Sequence, residues 1–155
     1  MNILQNTGMN GPGSEIRRAG RTDYDGVVAL WTRAGLLHRP SGRDSRTNLE
    51  REMTDPKVDF LVAFSGDRMI GAVIGTNDGR KGWVNRLAVD PQHRGEGVAM
   101  ALVASLEECF MTRSLKIFSC LISDANEPSL SLFERIGYER HPEVVYYSKK
   151  IDLDV

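Results

Sequence analysis

The chain is poor in cysteine and histidine: its 155 residues hold only Cys109 and Cys120, and His38, His93 and His141 lie far apart. Neither cysteine belongs to a Cys-x-x-Cys pair, so neither a disulfide framework nor a zinc site is encoded, and no metal is expected. Free thiols of this kind fit a reducing, cytoplasmic compartment. No stretch reaches the about 18 consecutive apolar residues of a membrane span. The start, Met1 to Ser14, lacks the charged and apolar zones of a signal peptide, so no membrane partner is expected. A formal net charge of -1 argues against a general nucleic-acid binder. The local cluster Arg17, Arg18 and Arg21 reads as solvated element ends.

Three phosphate and nucleophile motifs are also absent. No Gly-Lys-Ser/Thr is present to hold a nucleoside triphosphate with magnesium, and Met100 stands where a dinucleotide-binding Gly-x-Gly-x-x-Gly needs its third glycine. There is no Gly-x-Ser-x-Gly elbow either.

What is present has the balance of an ordinary globular domain, 26% charged and 41% hydrophobic. A single domain of this length buries roughly 70% of its unfolded surface without a covalent staple. Residues 1–14, with the run Asn6 to Gly13, read as a disordered tail, and residues 15–155 as one domain. Ile16 and Ala19 bracket a short strand, and Thr22 with Asp25 predicts a capping box for a helix over 23–34. A second, mostly polar helix is expected over 44–53, stopped by Asp55 and Pro56. The apolar runs 58–64, 69–74 and 83–89, separated by Ser65-Gly66-Asp67 and by Asn77 to Arg80, predict an antiparallel meander. Val98, Leu102, Leu106 and Phe110 form a helical stripe. A strand over 115–122, a helix over 127–136 with Gly137 as its cap, and a final strand pair near 138–140 and 144–151 complete the order.

The most informative stretch is LAVDPQHRGEGVAMALV, Leu87 to Val103. A buried strand delivers the chain into a glycine-containing turn that opens straight into an amphipathic helix, leaving several amides without intrahelical acceptors. Such a helix start suits an anion, and Gly95 and Gly97 let the backbone come close to it. A strand-to-helix turn with no ligand would also use these glycines.

The run Arg94-Gly95-Glu96-Gly97-Val98-Ala99 resembles the Arg/Gln-x-x-Gly-x-Gly/Ala acetyl-CoA signature of the GNAT N-acetyltransferases. Farther on, Asn126 to Tyr138 is similar to that family's Asn-x-x-Ala-x-x-Leu-Tyr-Glu-x-x-Gly-Phe/Tyr segment. The resemblance implies an α/β GNAT fold: a mixed, mostly antiparallel sheet of six to seven strands, flanked by about four helices, with splayed central strands. It implies acetyl-CoA as acyl donor and an amine as acceptor. The pyrophosphate would be held by amides of Arg94, Gly95, Glu96, Gly97, Val98 and Ala99, and the pantetheine arm by Leu87, Ala88 and Val89. Asn126 would face that arm or only cap its helix, a role Asn fills without any ligand. A homodimer stays open.

The chain departs from the family pattern where a tyrosine often serves as general acid. Phe133 stands there and has no proton to give, so it reads as packing against the region of the CoA sulfur. No carboxylate occupies the strand positions near Asn85 and Arg86 or near Leu121 where a base is often found. Asp78, Asp124 and Glu143 are the nearby carboxylates, each also readable as a turn or surface residue. Tyr146 and Tyr147 alternate across the expected last strand, so one would point inward as a proton donor. Arg39, Arg43 and Arg46 could grip an acidic acceptor group or simply start a solvated helix, and Trp83 could line the acceptor slot or anchor the sheet. The reading is a direct acetyl transfer to a primary amine of a small molecule or peptide. The alternative is a silent CoA-binding module or acyl-CoA sensor.

Overall fold

The computed structural model describes residues 13–151. Strands β1 (Glu15–Arg18), β2 (Asp59–Ser65), β3 (Arg68–Asn77) and β4 (Gly82–Val89) pair antiparallel in chain order, and β5 (Phe118–Cys120) adds parallel to β4. The β2–β3 hairpin closes through Gly66 and Asp67 because Ser65 pairs with Arg68, and Gly66 takes the positive φ of 57° that such a tight turn demands.

The apolar runs of β2 and β3 are continuous because helices cover both faces of the sheet. Leu61, Ala63, Ile70 and Val73 meet Val98, Leu102, Leu106 and Phe110 of α3 (Val98–Thr112) on one face. Phe60, Val62, Ala72 and Ile74 meet Val27, Leu30 and Trp31 of α1 (Tyr24–Ala34) and Leu49 of α2 (Arg46–Thr54) on the other. The helix α3 lies tight on the sheet: a Cβ at Gly75 or Gly82 would collide with Leu106 or Phe110. The last helix, α4 (Glu127–Arg135), ends in a glycine closure. The Gly137 amide donates to the Glu134 carbonyl at 3.1 Å and the Tyr138 amide to the Phe133 carbonyl at 2.9 Å.

Two buried carboxylates tie these layers together. Asp59 on β2 accepts from Arg18 of β1 at 2.5 Å and from Arg113, just past α3, at 2.7 Å. Asp90, at the end of β4, accepts from Arg33 of α1 at 2.9 Å, from Arg68 of β3 at 2.8 Å and from the Gln92 amide at 3.0 Å. Burial alone would push the Asp90 carboxyl up, but these donors hold it down at about 2.

Several expected boundaries move. Residues Arg21–Asp23 form a single 3-10 turn ahead of α1, and the carboxylate that accepts from the chain start is Asp23, bonded to the Gly20 amide at 2.7 Å, rather than Asp25. Helix α2 starts at Arg46, capped by Ser45, because Asp44 is buried in another contact. The expected strand over 115–122 pairs only from Phe118 to Cys120. Neither strand of the expected final pair forms among the described residues, so the sheet has five strands rather than six to seven. Tyr138 is held by the closure of α4, and Val144 to Tyr147 is an exposed apolar run on no strand among the described residues. Residues 1–12 of the expected tail lie outside the described residues, while Ser14 is buried against the fold. Among the described residues no helix is long and apolar enough to cross a membrane.

Candidate functional site

The anchored Asp90 stops β4 and starts a 3-10 turn, Pro91–His93, whose closing bond runs from the His93 amide to the Asp90 carbonyl at 2.9 Å. Arg94 is extended, Gly95 and Gly97 adopt φ of 81° and 83°, and Gly97 serves as N-cap of α3. The first amide to find a helical acceptor is that of Ala101, bonded to Gly97 at 3.0 Å. The amides of residues 95–100 meet no protein acceptor in hydrogen-bonding geometry among the described residues. A Cβ on Gly95 or Gly97 would meet nothing within 4 Å, so these glycines face open space. Free donors, a helix dipole and open space together make a cradle with the chemistry to take an anion. Only the backbone of Val98 is available to a ligand, since its side chain is buried in the core; Ala99 is half-buried. Arg94 reaches the Ala34 carbonyl at 3.3 Å, and Glu96 pairs with His93 at 2.9 Å.

Beside the cradle the sheet opens. Pairing between β4 and β5 ends at Val84 and Cys120, while β4 continues along β3 to Val89. The edge of Asn85 to Val89, including Leu87, Ala88 and Val89, therefore has no strand partner on that side among the described residues, which is the expected splay. Across the gap, the Asn126 side chain accepts from the Ser129 amide at 3.3 Å and caps α4. Phe133 is only 5% exposed and meets the Tyr138 ring edge-on, with centroids 4.9 Å apart. Tyr138 donates its hydroxyl to Glu107 at 2.9 Å, and burial together with Glu107 holds its pKa above the ordinary value. Cys120, at the apex of the gap, has its thiol pushed up to about 11 by burial and stays protonated at neutral pH.

A profile of the acetyltransferase (GNAT) family matches residues 26–138. The chain belongs to the GNAT family. It is 35% identical over 142 residues to an acetyltransferase of Photorhabdus laumondii, covering 90% of this chain and 97% of that one. A second, from Sodalis glossinidius, is 33% identical over 141 residues, again 90% and 97% of the two chains. Two solved structures share the fold. The PaiA N-acetyltransferase of Thermoplasma acidophilum, in complex with coenzyme A, has a TM-score of 0.72 at 18% identity, over 81% of this chain and 89% of that one. AAC(6')-Iy, in complex with a bisubstrate analogue, has a TM-score of 0.75 at 19% identity, over 88% and 98%.

In this GNAT chain β4 carries a feature that sequence reading missed. Ala72 pairs with Ala88 but Ile74 pairs with Asn85, so β4 carries one extra residue, and Arg86 takes a positive φ of 52°. The bulge turns Arg86 onto α1 and the α1–α2 connection. It donates to Asp44 at 2.5 Å and to the Leu37 carbonyl at 2.8 Å, and stacks 4.6 Å over Trp31. The position that takes the positive φ is an arginine, so no glycine marks it in the sequence. Glu52 of α2 was missed as well. Half-buried, its carboxyl is raised by burial and by nearby Asp44, with Arg86 and Arg43 opposing, and it makes no side-chain hydrogen bond among the described residues.

The candidates for proton transfer are not brought together. Tyr146 and Tyr147 are exposed and lie on no strand, so neither points inward as expected. Asp124 is exposed and paired with Arg140 at 2.9 Å. Glu143 pairs with His141 at 3.1 Å, and its own amide and that histidine hold its carboxyl low. Asp78 is held low by the Lys81 and Arg80 amides and accepts from the Trp83 indole at 3.3 Å, so both residues serve the β3–β4 turn. Arg46 is occupied by Asp25 at 2.6 Å and stacks on Tyr24, whereas Arg43 is mostly exposed and touches Asp44 loosely at 3.7 Å. Among the described residues no group of histidine, cysteine and carboxylate side chains could hold a metal ion.

Proposed function

We propose that this GNAT chain is an acetyl-CoA-dependent N-acetyltransferase that moves the acetyl group directly to a primary amine of a small molecule or peptide. One observation carries the reading: the unpaired amides of residues 95–100 open beside a β4 edge that has lost its partner. A pyrophosphate needs donors with no competing acceptor, and an extended amide-bearing arm needs a free strand edge. Amides from Arg94 to Ala99 hold the pyrophosphate, Leu87, Ala88 and Val89 take the pantetheine arm, and Asn126 lines the opposite side of the wedge, with Phe133 packed behind it in the core. The bond from amine nitrogen to acyl carbon forms as the carbon–sulfur bond breaks, the amine loses a proton and the thiolate gains one.

Glu52 is the carboxylate whose surroundings suit the base, being half-buried, free of hydrogen bonds and raised. A raised carboxylate still deprotonates a weakly basic amine best. A lysine-like amine of pKa about 10.4 costs roughly 4 to 5 kcal/mol to deprotonate at pH 7, an α-amine near 8 about 1. Arg43 stands mostly exposed on the same side, so an acceptor bearing a carboxylate next to its amine is favoured over a polycation. The test is a thiol-release screen over amino acids, short peptides, polyamines and aminoglycosides. Best turnover with α-amines is expected, and polyamines or lysine side chains as best substrates would overturn the acceptor assignment. Phe133, which has no proton to give, favours one second reading, a silent acetyl-CoA-binding module. That reading wins if acetyl-CoA binds and no amine in the panel releases thiol.

A further inference from the structure

Direct transfer of an acetyl group to an amine moves two protons, and Glu52 answers for one of them. It suits the removal of a proton from the incoming ammonium group. Once the amine has added to the acyl carbon, its nitrogen carries a surplus proton while the departing sulfur lacks one. Phe133 has no proton to give, and Tyr146 and Tyr147 are exposed on no strand. One side chain that takes the surplus proton and returns it serves both atoms, and imidazole is the group that does so readily near neutral pH. On the transfer reading, the pantetheine arm leaves the cradle and follows the free edge of β4 back from Val89, until pairing with β5 closes that edge at Val84. The acyl end therefore comes to Asn85 and Arg86.

His38, in the α1–α2 connection, is fastened to this same arginine. Its backbone is gripped on both sides: the Leu37 carbonyl accepts from Arg86 at 2.8 Å, and the Arg39 amide donates at 2.8 Å to Asp44, which is itself bound to Arg86. Leu37 turns out to solvent at 93% exposure, while the half-buried His38 ring lies 6.2 Å from the Trp31 ring, centroid to centroid, at a tilt of 52°. Trp31 is the ring on which Arg86 stacks. His38 Nδ1 lies 3.1 Å from the Leu36 carbonyl. A carbonyl only accepts, so Nδ1 carries the hydrogen and the neutral ring keeps its lone pair on Nε2. Nε2 meets no hydrogen-bond partner among the described residues. This arrangement hangs on Arg86, whose positive φ of 52° is a strain kept at this point of β4.

We propose that His38 is the proton shuttle of the transfer, an inference that rests on the transfer reading and deepens it. Nε2 takes the surplus proton from the acceptor nitrogen as the nitrogen–carbon bond forms, and gives it to sulfur as the carbon–sulfur bond breaks. One N–H bond is exchanged for one S–H bond, and the imidazole is neutral before and after. Nδ1 keeps its hydrogen on the Leu36 carbonyl throughout, which holds the ring in the tautomer the step needs.

Nitrogen-15 NMR of the labelled full chain, with the His38 signals identified by their loss in His38→Asn, reads the tautomer without any substrate. In the neutral ring Nδ1 should be protonated and Nε2 bare, and the opposite tautomer would overturn the proposal. Kinetics give the second reading. His38→Asn keeps an amide that can donate to the Leu36 carbonyl but has no basic nitrogen, so it preserves the connection and removes the shuttle. Its kcat with the best α-amine of the thiol-release screen should fall by about a hundredfold, and that of His38→Ala at least as far, with acetyl-CoA affinity and acceptor KM kept. A His38→Asn protein with native kcat, or one whose loss falls on KM alone, shows that the ring only shapes the connection; it refutes the shuttle and leaves the transfer reading standing. A native protein that binds acetyl-CoA and acetylates no amine refutes the transfer reading, and the shuttle with it.

Discussion

Replacing Gly97 by valine separates two costs that the cradle predicts. Gly97 sits at φ 83°, and a Cβ there meets no protein atom within 4 Å, so the folded protein suffers only backbone strain. For a non-glycine residue in this region that strain is about 1 to 2 kcal/mol. In a domain of this size it lowers Tm by about 2 to 8 °C. Gly79, in the β3–β4 turn, has the same φ of 83° and the same open surroundings, so Gly79→Val carries the same strain without touching the cradle. The two variants should therefore melt alike. On the proposed function they should bind acetyl-CoA differently, because the valine at position 97 would stand where the pyrophosphate meets the amides. Losing even one hydrogen bond to a charged phosphate, worth about 1.5 to 3 kcal/mol, weakens affinity by about ten- to a hundredfold. Calorimetric titration of both folded variants with acetyl-CoA reads this directly. Unchanged affinity in Gly97→Val, or equal loss in both variants, refutes the assignment of the loop.

Three further outcomes are expected. Phe133→Tyr, which adds one hydroxyl, should keep acetyl-CoA binding and leave turnover equal or higher, while Phe133→Ala should cost about 3 to 5 kcal/mol by emptying a buried ring site; a Phe133→Tyr protein that binds acetyl-CoA yet has lost all turnover contradicts this. Asp90→Asn should lose about 1 to 2 kcal/mol at pH 7, because Arg33 and Arg68 keep part of their solvation. The Asp90 carboxyl lies at about 2 in the folded state, below its ordinary 3.8, so its contribution is full above about pH 4 and disappears as pH falls toward 2. Denaturant titrations at pH 7 and pH 3 should show the native protein losing stability on acidification more steeply than the variant. Glu52→Gln should remove the acid limb from the pH profile of kcat/KM, a limb that lies above the ordinary carboxylate range because Glu52 is raised; an unaltered profile excludes Glu52 as the base.

The sequence by itself determined the order of elements from β1 to α4 and the place of the cradle. Both are written in local chemistry: Ser65-Gly66-Asp67 makes a turn wherever it stands, and a strand running through Gly95 and Gly97 into a helical stripe leaves free amides in any context. The cap at Gly137 was legible for the same reason. Tertiary structure alone decided the rest. The positive φ of Arg86 is unfavourable locally and holds only because Asp44, Leu37 and Trp31, more than forty positions away, receive its guanidinium. Glu52 differs from other surface carboxylates only through its burial beside Asp44. The strand expected over 144–151 does not form among the described residues: composition favours a strand there, but pairing is a contact between separate stretches of chain that no local signal supplies.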